Sequence, residues 1–328
     1  MLKLLRGLNI STKYNRGYLI ALAILFFAIL PLFSDPGTLR LLILTYMTLI
    51  LCISWNIISG YTVFLSLGHS MFLGIGAYTS AILYEKYGIS PWIGMIISLA
   101  PSTLLAIIIG LLTFRLHGAF FALTTIAILQ ILRLLALHFA DITGGSLGII
   151  YTPKNDPYNF FFLEVTPYYY VIYIMLLITI YISYRIDRGF LGKRLKAIGD
   201  DEIASVSIGI DAMKSKLLAF IISALIATPV GTFYAQYIGY IIPDSVFDLG
   251  LSIKVAVIGM IGGAGTFLGP IIGTFILIPI EQLLTIYLSS YYGLNLVIYG
   301  LLLMITMIFL PKGVISFIEG FLRWQKKY

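Results

Sequence analysis

One cysteine, three histidines and 14 acidic residues are all that 328 residues contain of these types, and the scarcity removes several classes of function. Cys52 has no partner for an intrachain disulfide and falls inside an apolar run, where packing is its expected role. No HExxH and no Cys/His cluster occurs, so no metal site is expected. No GxxxxGK[ST] phosphate loop occurs either, so this chain is expected to bind no nucleotide or other cofactor. Gly144-Gly145-Ser146-Leu147-Gly148 fits G-x-S-x-G, a nucleophile motif that needs a strand before it and a helix after it. Here it lies in a loop, and it is discounted; the chain is not expected to be an enzyme.

Charge is scarce as well, at 11% of residues, while 60% are hydrophobic and the mean hydropathy is +1.01. Soluble domains do not have this composition. A membrane-crossing helix takes about 20 mostly apolar residues, and ten such stretches can be drawn, at 17–34, 39–59, 61–84, 91–114, 117–139, 168–186, 216–239, 246–263, 266–289 and 294–311. Continuous runs such as LLLMITMIFL exclude the alternating strands of a barrel. The expected fold is an all-α polytopic integral membrane protein of about ten transmembrane helices, one domain over 1–328 with no soluble module. At the N-terminus, basic residues precede an apolar run that no small-residue cleavage site follows, which reads as an uncleaved signal-anchor.

The net charge of +7 could point to nucleic acid, but its distribution argues for topology. Cytoplasmic loops are enriched in Lys and Arg. With the N-terminus inside, Lys3, Arg6, Lys13, Arg16, Arg115, the seven cations of a central loop, Lys312, Arg323, Lys326 and Lys327 all fall on the cytoplasmic side. Only Arg40, Lys86 and Lys154 fall outside, and Arg133 and Lys254 lie within spans. Both termini are therefore expected to be cytoplasmic.

That central segment, Arg185 to Lys216, is the one long charge-dense stretch between the apolar runs and holds seven cations and five acids. Leu191, Leu195, Ile198, Ile203, Val206 and Ile208 recur among the charges and Gly209 closes the run, the pattern of an amphipathic helix lying outside the bilayer. The loop, 187–215, has the form of a docking element. The longest outer loop, 140–167, is rich in Gly, Pro and aromatics and is expected to form an ordered cap or an interfacial aromatic belt.

Two spans are interrupted by small residues, Gly60–Gly76 and Gly259–Gly273. A bilayer tolerates broken backbone only where protein or a water-filled cavity satisfies it, and transporters use such breaks to aim half-helix ends at a solute. The second break reads as a tight cytoplasmic turn, and packing through small residues accounts for either. In the first, Ser66, Gly68, His69 and Ser70 form a polar knot; Ser70 would cap the next helical piece, and His69 would face either the pathway or a neighbouring span. Arg133 and Lys254, near the outer surface, read as anchors. Glu281 is deeper and needs a partner; Lys254 on the adjoining span is assigned to it as a structural pair.

In order along the chain, GYTVFLSLGHSMFLGIGAYTSAIL (Gly60 to Leu83), RLHGAFFALTTIAILQILRLLAL (Arg115 to Leu137), TGGSLGI, GKRLKAIGDDEIASVSIGID and VIGMIGGAGTFLGPIIG are similar to the permease subunits of branched-chain amino acid ABC transporters, the LivM type. The resemblance spans Leu51 to Pro311. It implies a subunit of the cytoplasmic membrane that pairs with a second homologous permease, sits on two cytosolic ABC ATPases that bind the ATP, and receives solute from an extracytoplasmic binding protein. It implies coupling through Gly192 to Asp211, with Lys193, Lys196, Asp200, Asp201, Glu202 and Gly209 matching the charged core. Glu202-Ile203-Ala204 departs from the EAA core of other ABC importers. Charge reversal at Asp200, Asp201 and Glu202 together is expected to release the ATPases without unfolding the helices. Ser66, Gly68, His69, Tyr78, Thr124 and Thr125 are the pathway candidates, and lipid is the remaining partner.

Relatives of this type also serve urea or short amides, which stays an open reading of the solute. A secondary transporter driven by an ion gradient is the rival mechanism, but it usually places several acids at mid-membrane, where this chain has Glu281 nearly alone. A membrane-embedded enzyme would need clustered acids or His at one bilayer face, and the three His share no motif.

Overall fold

A computed structural model describes residues 22, 24–62, 64–114, 119–151, 156–288, 293–309 and 313–315. The N-terminal cations, most of the first expected span, Arg115, Lys154 and the C-terminal cations lie outside the described residues, so the positions of the termini do too.

The main helices are α1 (Pro36–Trp55), α2 (Ser70–Tyr87), α3 (Pro91–Thr113), α4 (Ala119–His138), α5 (Val165–Arg188), α6 (Phe190–Asp200), α7 (Glu202–Ser207), α8 (Ala212–Ile238), α9 (Leu249–Gly263), α10 (Gly269–Tyr287) and α11 (Leu294–Phe309). Local sequence sets their starts. Asp35 accepts from Gly37 N and Thr38 N at 2.9 and 3.1 Å ahead of Pro36, and Asp248 accepts from Gly250 N and Leu251 N at 2.8 and 3.0 Å. Each cap satisfies N–H groups that a helix leaves orphaned.

Among the described residues, seven helices are long and apolar enough to cross a membrane, which makes the chain an all-α polytopic membrane protein. Ten stretches are expected from the sequence, and two of them take a different form here. The stretch expected at 61–84 is no continuous helix: the chain is irregular over 64–69, with a bend at Leu67 and a turn at His69, and α2 starts only at Ser70. The last expected span, 294–311, is a 16-residue helix. Of the first, only Leu22 and residues 24 onward are described, helical to Ile29.

Helix α1 is the axis, with 89% of its best apolar window buried, whereas the windows in α3 and α4 are 28% buried and turn most of their surface outward. Small residues let α2 and α8 cross at backbone contact. A Cβ on Gly76 would stand 1.9 Å from the Thr228 carbonyl oxygen, and one on Gly231 1.9 Å from that of Leu73. Thr232 Oγ1 adds a 3.1 Å bond to the Gly76 carbonyl.

At the end of the bundle opposite the central hairpin, β1 (Ile149–Ile150) pairs antiparallel with β2 (Tyr240–Ile241). The loop after β1 turns Phe160 inward and leaves Tyr158 exposed. Phe160 is fully buried and stacks on Trp92 at 4.0 Å, while Ser90 Oγ and Trp92 Nε1 donate to the Tyr158 and Pro157 carbonyls. Gly144–Gly148 follows a short helix and precedes β1, the reverse of the order a nucleophile elbow requires.

Candidate functional site

The charged segment folds as two helices rather than one. Asp201 divides them by accepting from Ala204 N at 3.0 Å as the cap of α7. Gly209 closes α7 at φ 90°, with Gly209 N bonded to the Val206 carbonyl and Ile210 N to that of Ser205. This is a Schellman end, and it needs glycine at the left-handed position. Asp211 then caps α8 from outside the span; the Lys214 backbone N–H holds its carboxyl below the usual carboxylate range.

The apolar residues of the hairpin divide between two surfaces. Leu195 and Ile198 are buried against the bundle, while Phe190, Ile203, Val206 and Ile208 are exposed. The single amphipathic stripe expected through Leu191, Leu195, Ile198, Ile203, Val206 and Ile208 does not form, because the break at Asp201 redirects α7. The exposed set, with Lys193 and Asp200 beside it, is an apolar and charged face available to a partner.

The other sequence-assigned residues of the hairpin hold it to the bundle. A Cβ on Gly192 would stand 2.2 Å from the Ile186 carbonyl oxygen, so only glycine lets α6 fold back over the end of α5. Lys196 Nζ lies 2.7 Å from Asp187 Oδ1, which also accepts from the Tyr61 hydroxyl at 3.0 Å. Glu202 Oε1 is 2.6 Å from Nζ of Lys216, a side chain only 1% exposed. Reversing Asp200, Asp201 and Glu202 together would therefore remove a helix cap and repel a buried cation. That experiment would not separate docking from folding, contrary to the expectation drawn from sequence.

Helix α1 widens into a π-helical turn over Asn56–Gly60 before the chain leaves helical structure, a deformation that recurs at functional sites. The non-helical segment is tied down at several points, although Ser66 Oγ and His69 Nδ1 are buried without a hydrogen-bond partner among the described residues. Ser66 N donates to Ser59 Oγ at 3.0 Å, the Ser66 carbonyl accepts from Trp55 Nε1 at 2.9 Å, and Leu67 N donates to Thr125 Oγ1 at 3.1 Å. Gly68 lies so close to α4 that a Cβ would stand 2.2 Å from the Thr125 carbonyl oxygen. His69 Nε2 sits 2.8 Å from Ser54 Oγ and 3.2 Å from Ser223 Oγ, with the residue 1% exposed. Ser70 does not cap α2: its N–H donates to Ser252 Oγ at 2.9 Å and its hydroxyl to the Asp248 carbonyl at 2.7 Å. The N–H groups of Met71 and Phe72 are also taken, by the Gly68 and His69 carbonyls. The first amides of α2 are thus bonded within the protein, and none is left aimed at a carboxylate.

The pathway candidates separate into three places. Ser66, Gly68, His69 and Thr125 gather around the break. Tyr78 lines an apolar cavity of about 470 Å³ between α2, α3 and α4, stacked on Phe247 at 5.8 Å, and its buried hydroxyl has no hydrogen-bond partner among the described residues. Thr124 Oγ1 donates to its own helix at the Phe120 carbonyl. Lys254 Nζ lies 2.7 Å from Glu281 Oε1, joining α9 to α10. Arg133 is held in an ion pair with Asp244 rather than standing alone as an anchor.

The two glycine-rich breaks, 200 residues apart in the chain, touch. Buried Asn56 donates through Nδ2 to the Thr266 carbonyl and accepts at Oδ1 from Gly265 N, both at 2.9 Å. The second break is a tight turn between α9 and α10, with Gly263 and Gly265 at φ 124° and 75°.

A broken helix clamped by small residues, beside a charged hairpin at one end of an apolar bundle, is the setting in which the comparisons with known proteins are informative. The family model for the branched-chain amino acid transport system / permease component matches residues 37–308. The chain belongs to this family. It is 29% identical to the high-affinity branched-chain amino acid transport system permease protein LivM of Escherichia coli (strain K12), across 95% of this chain and 77% of that protein. The corresponding LivM of Salmonella typhimurium is 28% identical over the same shares. LivH of Salmonella typhimurium, from the same kind of transport system, is 30% identical over 43% of this chain and 44% of its own. No solved structure matches.

This permease is accordingly a multi-pass protein of the cytoplasmic membrane, in a family of transport components rather than catalysts. Sequence reasoning passed over Asn56, Ser54, Ser223, Ser252 and Lys216. Asn56 carried a readable signal, as a lone amide within an apolar span. The serines did not, since most helical serines bond back to their own turn.

Proposed function

We propose that this chain is a permease subunit of an ABC importer for branched-chain amino acids (Leu, Ile, Val) or similar solutes, driven by ATP hydrolysis on two cytosolic ATPases. The observation that carries the reading is the α6–α7 hairpin. It presents Phe190, Ile203, Val206 and Ile208 outward while Asp187, Gly199 and Glu202 hold it to the membrane core. An exposed apolar helix face fits a partner's groove, and a face rigidly tied to the spans can pass groove movement to them. The family match supports the solute class.

Partial similarity to LivH supports a second, related permease as the other half of the channel. An extracytoplasmic binding protein supplies the solute, and both termini and the hairpin face the cytosol. The chain itself binds no ATP, and lipid surrounds it.

Uptake in vesicles tests the reading. Leucine accumulation that requires the co-reconstituted second permease, ATPases and ATP is expected. Uptake of urea or a short amide in place of leucine would correct the solute. Uptake by the purified chain alone under a proton gradient would replace the mechanism with ion coupling. Ile203→Ser with Val206→Ser is expected to lower ATPase association at least tenfold with the fold intact.

A further inference from the structure

The hairpin does more than rest on the bundle: Gly199 and Lys196 of α6, with Asp187 at the end of α5, contact Tyr61 at the head of the broken span, and Lys216 of α8 contacts Phe64. A Cβ on Gly199 would stand 2.4 Å from the Tyr61 carbonyl oxygen, so α6 meets that backbone directly. Asp187 accepts from the Tyr61 hydroxyl, and Lys196 Nζ lies 5.0 Å from the centroid of the Tyr61 ring. Lys216, paired with Glu202 of α7, lies 4.1 Å from the centroid of the Phe64 ring. Phe64 in turn packs edge-on against Phe114 and Phe121.

An ion pair that buries one of its charges, as here with Lys216 1% and Glu202 34% exposed, is a poor way to gain stability, because an apolar residue of like volume holds the same place without losing hydration. Its best-attested use is to set a register or a switch. Lys216 is placed for such a use. Seven residues on along α8, two turns and about 10.5 Å away on the same face, Ser223 bonds Ser54 and His69 at the far end of the break. One face of α8 therefore holds the broken segment at both ends, and Glu202 of the hairpin holds that helix.

We propose that Lys216 is a positioning residue for energy coupling: through Glu202 on one side and the Phe64 ring on the other, it makes the broken span follow the hairpin. The proposal rests on the ABC reading and names the contact by which such a drive would reach the break.

The test uses the full complex in vesicles and measures ATP hydrolysis and leucine uptake side by side. Lys216→Met keeps the apolar stem and removes the charge. It is expected to assemble and hydrolyse ATP at no less than half the unmodified rate, while solute moved per ATP falls at least tenfold. Phe64→Leu keeps the bulk and removes the ring face, with an expected fall of about threefold, and the double variant is expected to be no worse than Lys216→Met alone. Lys216→Arg should restore the ratio to within twofold. A parallel fall of hydrolysis and uptake, an unchanged ratio, or failure of both Lys216→Met and Phe64→Leu to assemble would overturn the proposal. An unmodified complex without ATP-dependent uptake would instead refute the ABC reading, and the control shows that separately.

Discussion

Replacing Asn56 by Ala should loosen the junction of the two glycine-rich breaks and cost more than most buried polar-to-Ala changes in a membrane protein. The carboxamide makes two bonds of 2.9 Å, to the Thr266 carbonyl and from Gly265 N. Interhelical hydrogen bonds within membranes are worth about 0.6 kcal/mol on average, which gives about 1.2 kcal/mol for two as a lower bound. That average covers side chains whose partners find substitutes. Here both partners are backbone groups of a tight turn, and leaving a buried backbone group unsatisfied costs about 1–3 kcal/mol. Two such groups fully buried would cost about 2–6 kcal/mol, and because Gly265 and Thr266 are half-buried the expected loss lies in the lower part, about 2–4 kcal/mol.

Gly60 provides a second handle on the same junction. A Cβ there would stand 1.9 Å from Asn56 Oδ1 and 2.7 Å from Gly265 N. Gly60→Ala should therefore destabilise by expelling the carboxamide, and the double variant should be much less than additive, since the expelled group is already gone. Reversible unfolding in mixed micelles, with uptake measured in parallel, is the assay. A loss under about 0.5 kcal/mol for Asn56→Ala, or strict additivity with Gly60→Ala, would refute the reasoning.

Three further outcomes follow from other contacts. Removing one partner of the Lys254–Glu281 pair, by Glu281→Leu or Lys254→Met, should cost about 3 kcal/mol or more, and the double apolar variant should recover most of it; unfolding of the three variants decides. Gly76→Ala and Gly231→Ala should each force α2 and α8 apart, because the added methyl meets a carbonyl oxygen at 1.9 Å; both should reduce the yield of folded permease, and normal thermal stability in either would contradict the crossing. The Asp211 cap, with its carboxyl held low by the Lys214 N–H, contributes stability that is present above the unfolded pKa of about 3.9 and is lost as pH falls through the lower folded value. Asp211→Asn should therefore flatten the acid side of the stability profile, and an unchanged slope there would remove the cap from the account.

Elements governed by near neighbours are legible in the amino-acid order alone. Asp35 with Pro36 announces a helix start, Gly209 a helix end, and the small residues of 60–76 an interruption, because each acts on backbone within a turn of itself. The pairing of Lys254 with Glu281 is within reach because α9 and α10 are joined by a tight turn, and an acid at that depth calls for a cation. What separates 61–84 from an ordinary span is less legible. Its apolar content suits a helix, and backbone bonding to the side chains of Trp55, Ser59 and Thr125 holds the chain out of one over 64–69.

The sequence by itself determined that this is a helical membrane protein, where its backbone breaks, and which segment carries charge out of the bilayer, since hydropathy, glycine and ionisation act locally. Only the tertiary structure decided that the two breaks meet at Asn56, that His69 spends its imidazole on Ser54 and Ser223, and that Glu202 turns inward to Lys216 while Ile203 and Val206 turn out. Those choices depend on which helices cross and at what depth, and that is settled by packing among residues up to about 210 positions apart, beyond the reach of any local pattern.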